Sequence, residues 1–466
     1  MKGILMKQHP ALALAAAALL IGCGTSDTIP SSPGHDSAAD LAGLQAYAAI
    51  GNSLTAGYQS GAWGNPEHVA SSYPALIARQ LGITAFKQVS MAGTGLGFAG
   101  ATPVGNMTVN FNATGSPLLA YTTVDMTNVA AMAAGAAADF DFSAPRNFGI
   151  PGITLAYAAG ATLDQYYAGG AGNPYANFYR NADSGAKTQL QLAAESGAGF
   201  ITCWLGNNDV LGFVTSGGTG SLTSSAVFQA SLNGTLATLG AVAPYLAVIN
   251  IPSVTSIPFV TYFNPVLNAM LDQLGAPVHA VYALNGLGEV EVIMTDAGTG
   301  NYVLLPAASA MQADPTLGAS PGNPLPDAYV LDASETAAAQ AALVDFNAQI
   351  AAGVAALNTG RTHNALLVDM NAFFGDVVAH GVSSYGETFT AQFVEGGIFS
   401  LDGVHPTSLG YAIVANEILE TVNDGWGLDI ELVDLAEFIG VSSGLGSLAG
   451  PLVLPDFAPV VELFQH

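Results

Sequence analysis

Two separated segments contain residue types that could perform nucleophilic catalysis together. Ser53 lies in GNSLTAG at 51–57, and SLDGVHPT at 400–407 contains Asp402 and His405. A carboxylate three residues before a histidine can turn back to accept the Nδ1 proton, which leaves Nε2 free as a base for a serine hydroxyl. Each segment also has a plainer interpretation, because Ser53 could cap a helix and a D-x-x-H spacing arises often by chance.

Two further segments place polar and glycine residues between these two. NFGIPGIT occupies 147–154, and WLGNND occupies 204–209 directly after an apolar run. Glycine, proline and asparagine are turn formers, so either segment alone could be an ordinary turn. Four such segments in this order are much more specific than any one of them.

Short apolar runs alternate with amphipathic stretches along most of the chain. This pattern predicts a parallel β-sheet covered by helices on both faces, with ligands bound at the carboxyl ends of the strands. Ser53 and the asparagines of 204–209 both follow predicted strands, so we expect them at one sheet edge. The predicted strands are 44–50, 85–89, 200–205, 245–251 and 364–370, and the predicted helices are 73–81, 183–194, 225–241, 332–357 and 408–422.

Two long stretches interrupt the alternation, at about 93–145 and 255–331. Both are rich in Gly, Pro, Ala and Thr, and loops of this length usually carry a site, a lid or a small substructure. A third segment, 425–466, follows the last predicted helix without a chemical motif. Its role stays open at this point.

The first 22 residues have the pattern of a lipoprotein signal peptide. Lys2 and Lys7 precede an apolar segment at 11–21 that is too short to span a bilayer. The end of this segment, LIGC at 20–23, resembles a bacterial lipobox, which predicts cleavage before Cys23 and acylation of its thiol and new amino terminus. Several acyl chains would anchor the mature protein stably to a membrane. Small polar residues at 23–45 then predict a flexible tether.

Composition limits the classes of function. The 466 residues include 34 acidic and 8 basic side chains, a formal net charge of −26, so a nucleic-acid partner is not expected. Half of the residues are hydrophobic and only 9% are charged, which excludes intrinsic disorder. With Cys23 lipidated, Cys203 has no partner for a disulfide and is predicted to be a core residue.

Taken together, the four segments resemble the SGNH, or GDSL, hydrolase family over about residues 47–422. The resemblance implies an α/β fold of three layers, α/β/α, with a flavodoxin-like parallel sheet. The domain would cover 46–424 and contain the two insertions, which the resemblance itself does not cover, and the tail at 425–466 would follow it. It implies a catalytic triad and an oxyanion hole, the latter formed by the backbone amides of Ser53 and Gly152 and the side-chain amide of Asn208. The triad consists of Ser53, Asp402 and His405. One departure is Asn52, where the family usually has aspartate.

The resemblance implies a serine ester hydrolase, a lipase or esterase, that acts outside the cytoplasm at a bacterial cell envelope. Its substrate would be an ester of a lipid or of an acylated carbohydrate. It would need no cofactor, and no H-E-x-x-H or paired C-x-x-C motif indicates a catalytic metal. The insertions are expected to roof the acyl pocket. Two alternatives stay open: a surface binding or adhesion lipoprotein with a decayed site, and a carbohydrate O-acyl esterase.

Two G-x-S-x-G segments compete for the nucleophile. In GASPG at 318–322 a proline removes the amide that such an oxyanion hole requires, and no predicted strand precedes it. GVSSG at 440–444 is followed by no histidine except the terminal His466. Ser53 therefore remains the predicted nucleophile.

Overall fold

The computed structural model describes residues 38–99, 102–111, 117–168 and 172–439. The predicted signal peptide, the predicted lipidation site at Cys23 and the first part of the predicted tether lie outside these residues. The end of the tail, 440–466, also lies outside them.

A sheet of five parallel strands forms the centre of the fold. Its spatial order is β2-β1-β3-β4-β5, and every neighbouring pair runs parallel. This is the flavodoxin-like order, and it confirms the predicted fold class. The strands are β1 (Tyr47–Gly51), β2 (Arg146–Asn147), β3 (Phe200–Trp204), β4 (Tyr245–Ile249) and β5 (Leu366–Val368).

The three central strands are buried at every position, which explains why their sequences are continuous apolar runs. Tyr47 of β1 lies opposite Phe200 of β3, and the two rings stack. The Tyr47 hydroxyl is also 2.8 Å from the hydroxyl of Thr202. This buried hydroxyl is therefore hydrogen-bonded across the strands.

Helices pack in two sets against the sheet. One set contains Leu155–Gly160, Gln189–Glu195, Ser225–Val242 and Ala333–Leu357, and the other contains Tyr73–Gln80 and Ser408–Trp426. The remaining α-helices are Ala38–Gln45, Ser53–Ala56, Pro66–Ala70, Met126–Ala134, Leu163–Ala168, Asn208–Thr215, Pro258–Thr261, Phe263–Gln273, Leu305–Ala313 and Met370–His380. Short 3₁₀ helices occupy Pro174–Tyr179, Asp327–Tyr329 and Leu435–Glu437.

The two predicted insertions carry small substructures of their own. They contain antiparallel strand pairs and several of the helices named above. The pairs are Gly97–Ala99 with Thr102–Val104, Met107–Phe111 with Pro117–Tyr121, Ala280–Leu284 with Val290–Met294, and Tyr302–Val303 with Val330–Leu331. A further hairpin, Val382–Ser384 with Glu387–Phe389, follows the helix Met370–His380.

Three local expectations differ from the structure. The predicted strand at 85–89 is absent, because only Lys87 pairs there, with Arg146, and the edge of the sheet is β2 instead. The helix predicted from 183 begins at Gln189, where Thr188 forms a capping box. The last eight residues of the predicted tether form a helix, since Ala, Leu and Gln favour helix and Leu44 is buried.

The described part of the tail packs back onto the domain. Ile430, Val433 and Phe438 are buried. The Asn416 side chain, on the last long helix, accepts from the Val433 amide at 2.7 Å and donates to its carbonyl at 3.0 Å. Residues up to 439 therefore belong to the same folded unit.

Candidate active site

Ser53 is presented by a tight turn at the carboxyl end of β1. It begins the short helix Ser53–Ala56, and the Asn52 side-chain oxygen caps this helix by accepting the Leu54 amide at 3.1 Å. Asn52 therefore supplies the same capping acceptor that an aspartate would supply. A side chain at Gly51 would lie 2.7 Å from the Trp204 carbonyl oxygen, so only glycine fits where β1 ends.

His405 and Asp402 reach Ser53 from the loop that precedes the helix Ser408–Trp426. His405 Nε2 lies 2.9 Å from Ser53 Oγ, and His405 Nδ1 lies 2.9 Å from Asp402 Oδ2. The structure therefore brings the three predicted residues into one hydrogen-bonded chain. Asp402 and His405 are fully buried, so these bonds are shielded from water.

Asp402 is held by four donors. Its Oδ1 accepts the backbone amides of Val404 and His405 at 2.9 and 2.8 Å, and its Oδ2 accepts the Gly61 amide at 3.0 Å in addition to the imidazole. Burial alone would raise the pKa of the Asp402 carboxyl, but the charge of His405 and these hydrogen bonds outweigh it and lower the pKa. An ionised Asp402 makes Nδ1 the protonated nitrogen and leaves Nε2 to accept from Ser53.

The loop that carries Asp402 is tied to the segment after the Ser53 helix. The Ser60 amide donates to Ser400 Oγ at 2.9 Å, and the Ser400 amide donates to the His405 carbonyl at 2.7 Å. Ser60 and Gly61 were not among the predicted site residues. No spacing in the sequence signals them, because they act only through backbone amides.

Of the predicted oxyanion donors, Asn208 lines the same cavity as Ser53, whereas Gly152 does not line it in the described residues. Asn208 begins the helix Asn208–Thr215 and lines a cavity with Ser53 and His405. Its Nδ2 donates to the Ile153 carbonyl at 2.8 Å, which fixes the amide and leaves its second N–H available. Gly152, in the left-handed region at φ 80°, is adjacent to Ile153 but is not among the described residues that line the cavity.

Asp209 joins the third sequence segment to the second. Its Oδ2 accepts the amide of Leu155, the first residue of the helix Leu155–Gly160, at 2.9 Å. Burial raises the pKa of the Asp209 carboxyl to about 6, although the bond from Leu155 acts in the opposite direction. Asp209 was missed as a functional candidate, although it adjoins Asn208 in the sequence.

We call the space beside Ser53 the site cavity. Its volume is about 40 Å³, and its walls are largely apolar. The described lining residues are Asn52, Ser53, Leu54, Asn207, Asn208, Leu211, Pro252, Ser253, Val254, Ile257, Val404 and His405. Ile257 is the only one of these that comes from either insertion, in contrast to the expectation that the insertions roof this space.

A second space, the large cavity, has a volume of about 640 Å³. Its described lining includes Ser60, His68, Val109 and Ser400, and it shares no residue with the described lining of the site cavity. Asn106 to Val109 of the first insertion contribute to its wall. The first insertion therefore borders the large cavity and not Ser53.

Cys203 is buried in β3, as predicted, and burial raises the pKa of its thiol to about 12. Within the described ranges, no group of three or more His, Cys, Asp or Glu side chains could hold a metal ion. None of the helices described is both long and apolar enough to span a membrane.

A serine at the carboxyl end of a strand of a doubly wound sheet, with a buried histidine and aspartate beside it, defines the class of protein. The chain belongs to the GDSL-like Lipase/Acylhydrolase family, whose sequence model matches residues 47–418. It is accordingly a hydrolase of ester substrates. A search of curated proteins finds no match to the chain.

Proposed function

We propose that the protein is a carboxylic ester hydrolase, a lipase or esterase, that works through a Ser-His-Asp acyl-enzyme mechanism. Ser53 Oγ attacks the ester carbonyl carbon while His405 Nε2 takes the hydroxyl proton. His405 then gives this proton to the leaving alcohol, and water hydrolyses the acyl-Ser53 ester by the same path in reverse. Asp402 orients the imidazole and stabilises its charged form. The main support for this proposal is the pair of 2.9 Å hydrogen bonds that join Ser53 Oγ to His405 Nε2 and His405 Nδ1 to Asp402 Oδ2.

The oxyanion that forms during attack needs donors that are already in place. We assign this role to the backbone amides of Ser53 and Gly152 and to Asn208 Nδ2. The bond from Asn208 to the Ile153 carbonyl supports the assignment, because it holds the side-chain amide before substrate arrives. No step of this mechanism requires a cofactor.

Labelling with a fluorophosphonate that has short alkyl groups tests the proposed nucleophile, because only an activated serine reacts. We expect mass spectrometry to find the adduct on Ser53 and no adduct on the Ser53→Ala variant. Ser71→Ala is the matched control, since Ser71 lies in the large cavity and should leave labelling unchanged. An unlabelled wild-type protein would favour the alternative of a binding or adhesion lipoprotein with a decayed site.

We also propose that the enzyme is exported and anchored to a bacterial envelope membrane by lipid on Cys23. The support is the sequence pattern of residues 1–23 alone. In a bacterial host, Cys23→Ala should leave an uncleaved precursor or a protein released from membranes. If this variant still sediments with membranes after a high-salt wash as the wild type does, lipidation is not the anchor.

A further inference from the structure

The site cavity is small for an esterase substrate. Its volume is about 40 Å³, one sixteenth of that of the large cavity. An acetyl group has three non-hydrogen atoms and an octanoyl group has nine. Typical small-molecule sites have volumes of about 300–1,000 Å³. The space beside Ser53 therefore matches the smallest acyl groups.

The walls that limit this space are packed core side chains. Leu211 lies one turn after Asn208 on the same helix, so one helical face presents both the amide donor and the apolar wall. Val254 and Ile257 follow β4 and form another wall. Leu211 and Ile257 are only 7% and 8% exposed, and both belong to the hydrophobic core cluster.

The segment that carries Ile257 is also fixed to the catalytic loop. The Phe259 amide donates to the Gly403 carbonyl at 2.9 Å, and Gly403 lies between Asp402 and Val404. A side chain built on Gly403 would lie 3.1 Å from the Phe259 nitrogen, so the two segments are in close contact. Moving this wall to admit a longer acyl chain would therefore disturb the loop that positions His405.

The large cavity offers no route for a longer chain. The described linings of the two cavities have no residue in common, and that of the large cavity includes neither Ser53 nor Asn208. The loop at 400–405 contributes Ser400 and Leu401 to the lining of the large cavity and Val404 and His405 to that of the site cavity. Of these two cavities, the site cavity is therefore the one that borders Ser53.

We propose that the enzyme acts on esters of short acyl groups, with Leu211 and Ile257 as the residues that set this limit. The proposal rests on the serine-hydrolase function proposed above. The acyl group enters the site cavity, and the larger alcohol part of the substrate stays outside it. Acetylated alcohols, including acetylated carbohydrates, belong to this class.

The test compares kcat/KM for the nitrophenyl esters of acetate, butyrate and octanoate. In a pocket with room, each added methylene contributes about 0.8 kcal/mol of binding, so octanoate would be favoured. We expect the opposite, a fall of at least about 100-fold from acetate to octanoate, because the chain exceeds the cavity. A wild-type enzyme that prefers octanoate, or does not distinguish the esters, overturns the proposal.

Cavity variants locate the limit. Leu211→Ala and Ile257→Ala should each raise the ratio of octanoate to acetate activity at least about 10-fold, and the use of two variants guards against one that folds poorly. Val109→Ala, in the large cavity, should leave the ratio unchanged. A shift with Val109→Ala, or none with either wall variant, overturns the proposal. Fluorophosphonate labelling of Ser53 distinguishes a failure of this proposal from a failure of the proposed hydrolase function. If Ser53 is not labelled, the hydrolase function is wrong. If Ser53 is labelled but the enzyme prefers octanoate, only the chain-length limit is wrong.

Discussion

The two cavities differ sixteenfold in volume, and the smaller one contains the proposed nucleophile, Ser53. The lining of each includes one histidine together with serine and asparagine residues. In the large cavity His68 Nδ1 has no hydrogen-bond partner among the described residues, and burial lowers the pKa of His68 to about 4. In the site cavity His405 is bonded on one side to a carboxylate and on the other to a serine.

Hydrogen-bonding partners, and not cavity volume or residue type, distinguish the His405 imidazole from that of His68. Burial disfavours the charged form of His68, and only His405 is hydrogen-bonded to the Asp402 carboxylate. Asp402 raises the pKa of His68, but by less than burial lowers it. A large cavity with a histidine is consequently a poor guide to catalysis in this fold.

The largest expected effect tests the two histidines directly. His405→Ala should lower kcat for nitrophenyl acetate by about 10⁶-fold, because the base for Ser53 is lost. His68→Ala should leave kcat within about twofold. Comparable losses from both variants in folded protein would remove the distinction between the cavities.

A second experiment tests the carboxylate. Asp402→Asn should lower kcat by about 10⁴-fold, because the amide favours the wrong imidazole tautomer and does not stabilise its charge. Glu67→Gln in the large cavity is the matched control and should retain nearly full activity. Steady-state kinetics at pH 7 measure both, and near-normal activity of Asp402→Asn would contradict the role assigned to Asp402.

A third experiment separates two neighbouring amides in the site cavity. Asn208→Ala should lower kcat by about 100- to 1,000-fold with little change in KM, because its donor acts on charge that exists only in the transition state. Asn207 also lines the cavity, but neither of its side-chain polar atoms has a described protein partner to hold it. Asn207→Ala should therefore cost much less. Equal losses would mean that the oxyanion donor is misassigned.

The smallest effect is on stability and comes from Asp209. Its pKa of about 6 lies above the unfolded value, so the folded state binds the proton more tightly. The contribution of Asp209 to the free energy of unfolding is complete below about pH 4 and is lost as the pH rises through about 6. The loss amounts to about 3 kcal/mol at most. Asp209→Asn should remove this loss, so the variant should gain stability relative to wild type between pH 4 and 7 in urea unfolding. A pH-independent difference would contradict the raised pKa.

Local features of this protein were determined by the sequence itself. The apolar runs predict β1, β3 and β4, and the helix predicted at 332–357 begins with a capping box formed by Asp332 and Glu335. Strand ends and caps depend on residues a few positions apart, so their signals are readable along the chain. The family resemblance carried by the four polar segments likewise predicted that Ser53, His405 and Asp402 would meet, and these three are hydrogen-bonded in the structure.

The tertiary structure alone decided the features that depend on distant residues. The two-residue strand β2 exists only because β1 pairs with it, and no periodicity can mark so short an element. The contact of Gly61 with Asp402 and the bond of Asn208 to Ile153 join atoms far apart in sequence. The volume beside Ser53 is what remains after Leu211, Val254 and Ile257 have packed from separate elements. Burial then sets the pKa of Asp209, because the cost of a charge depends on everything that excludes water around it.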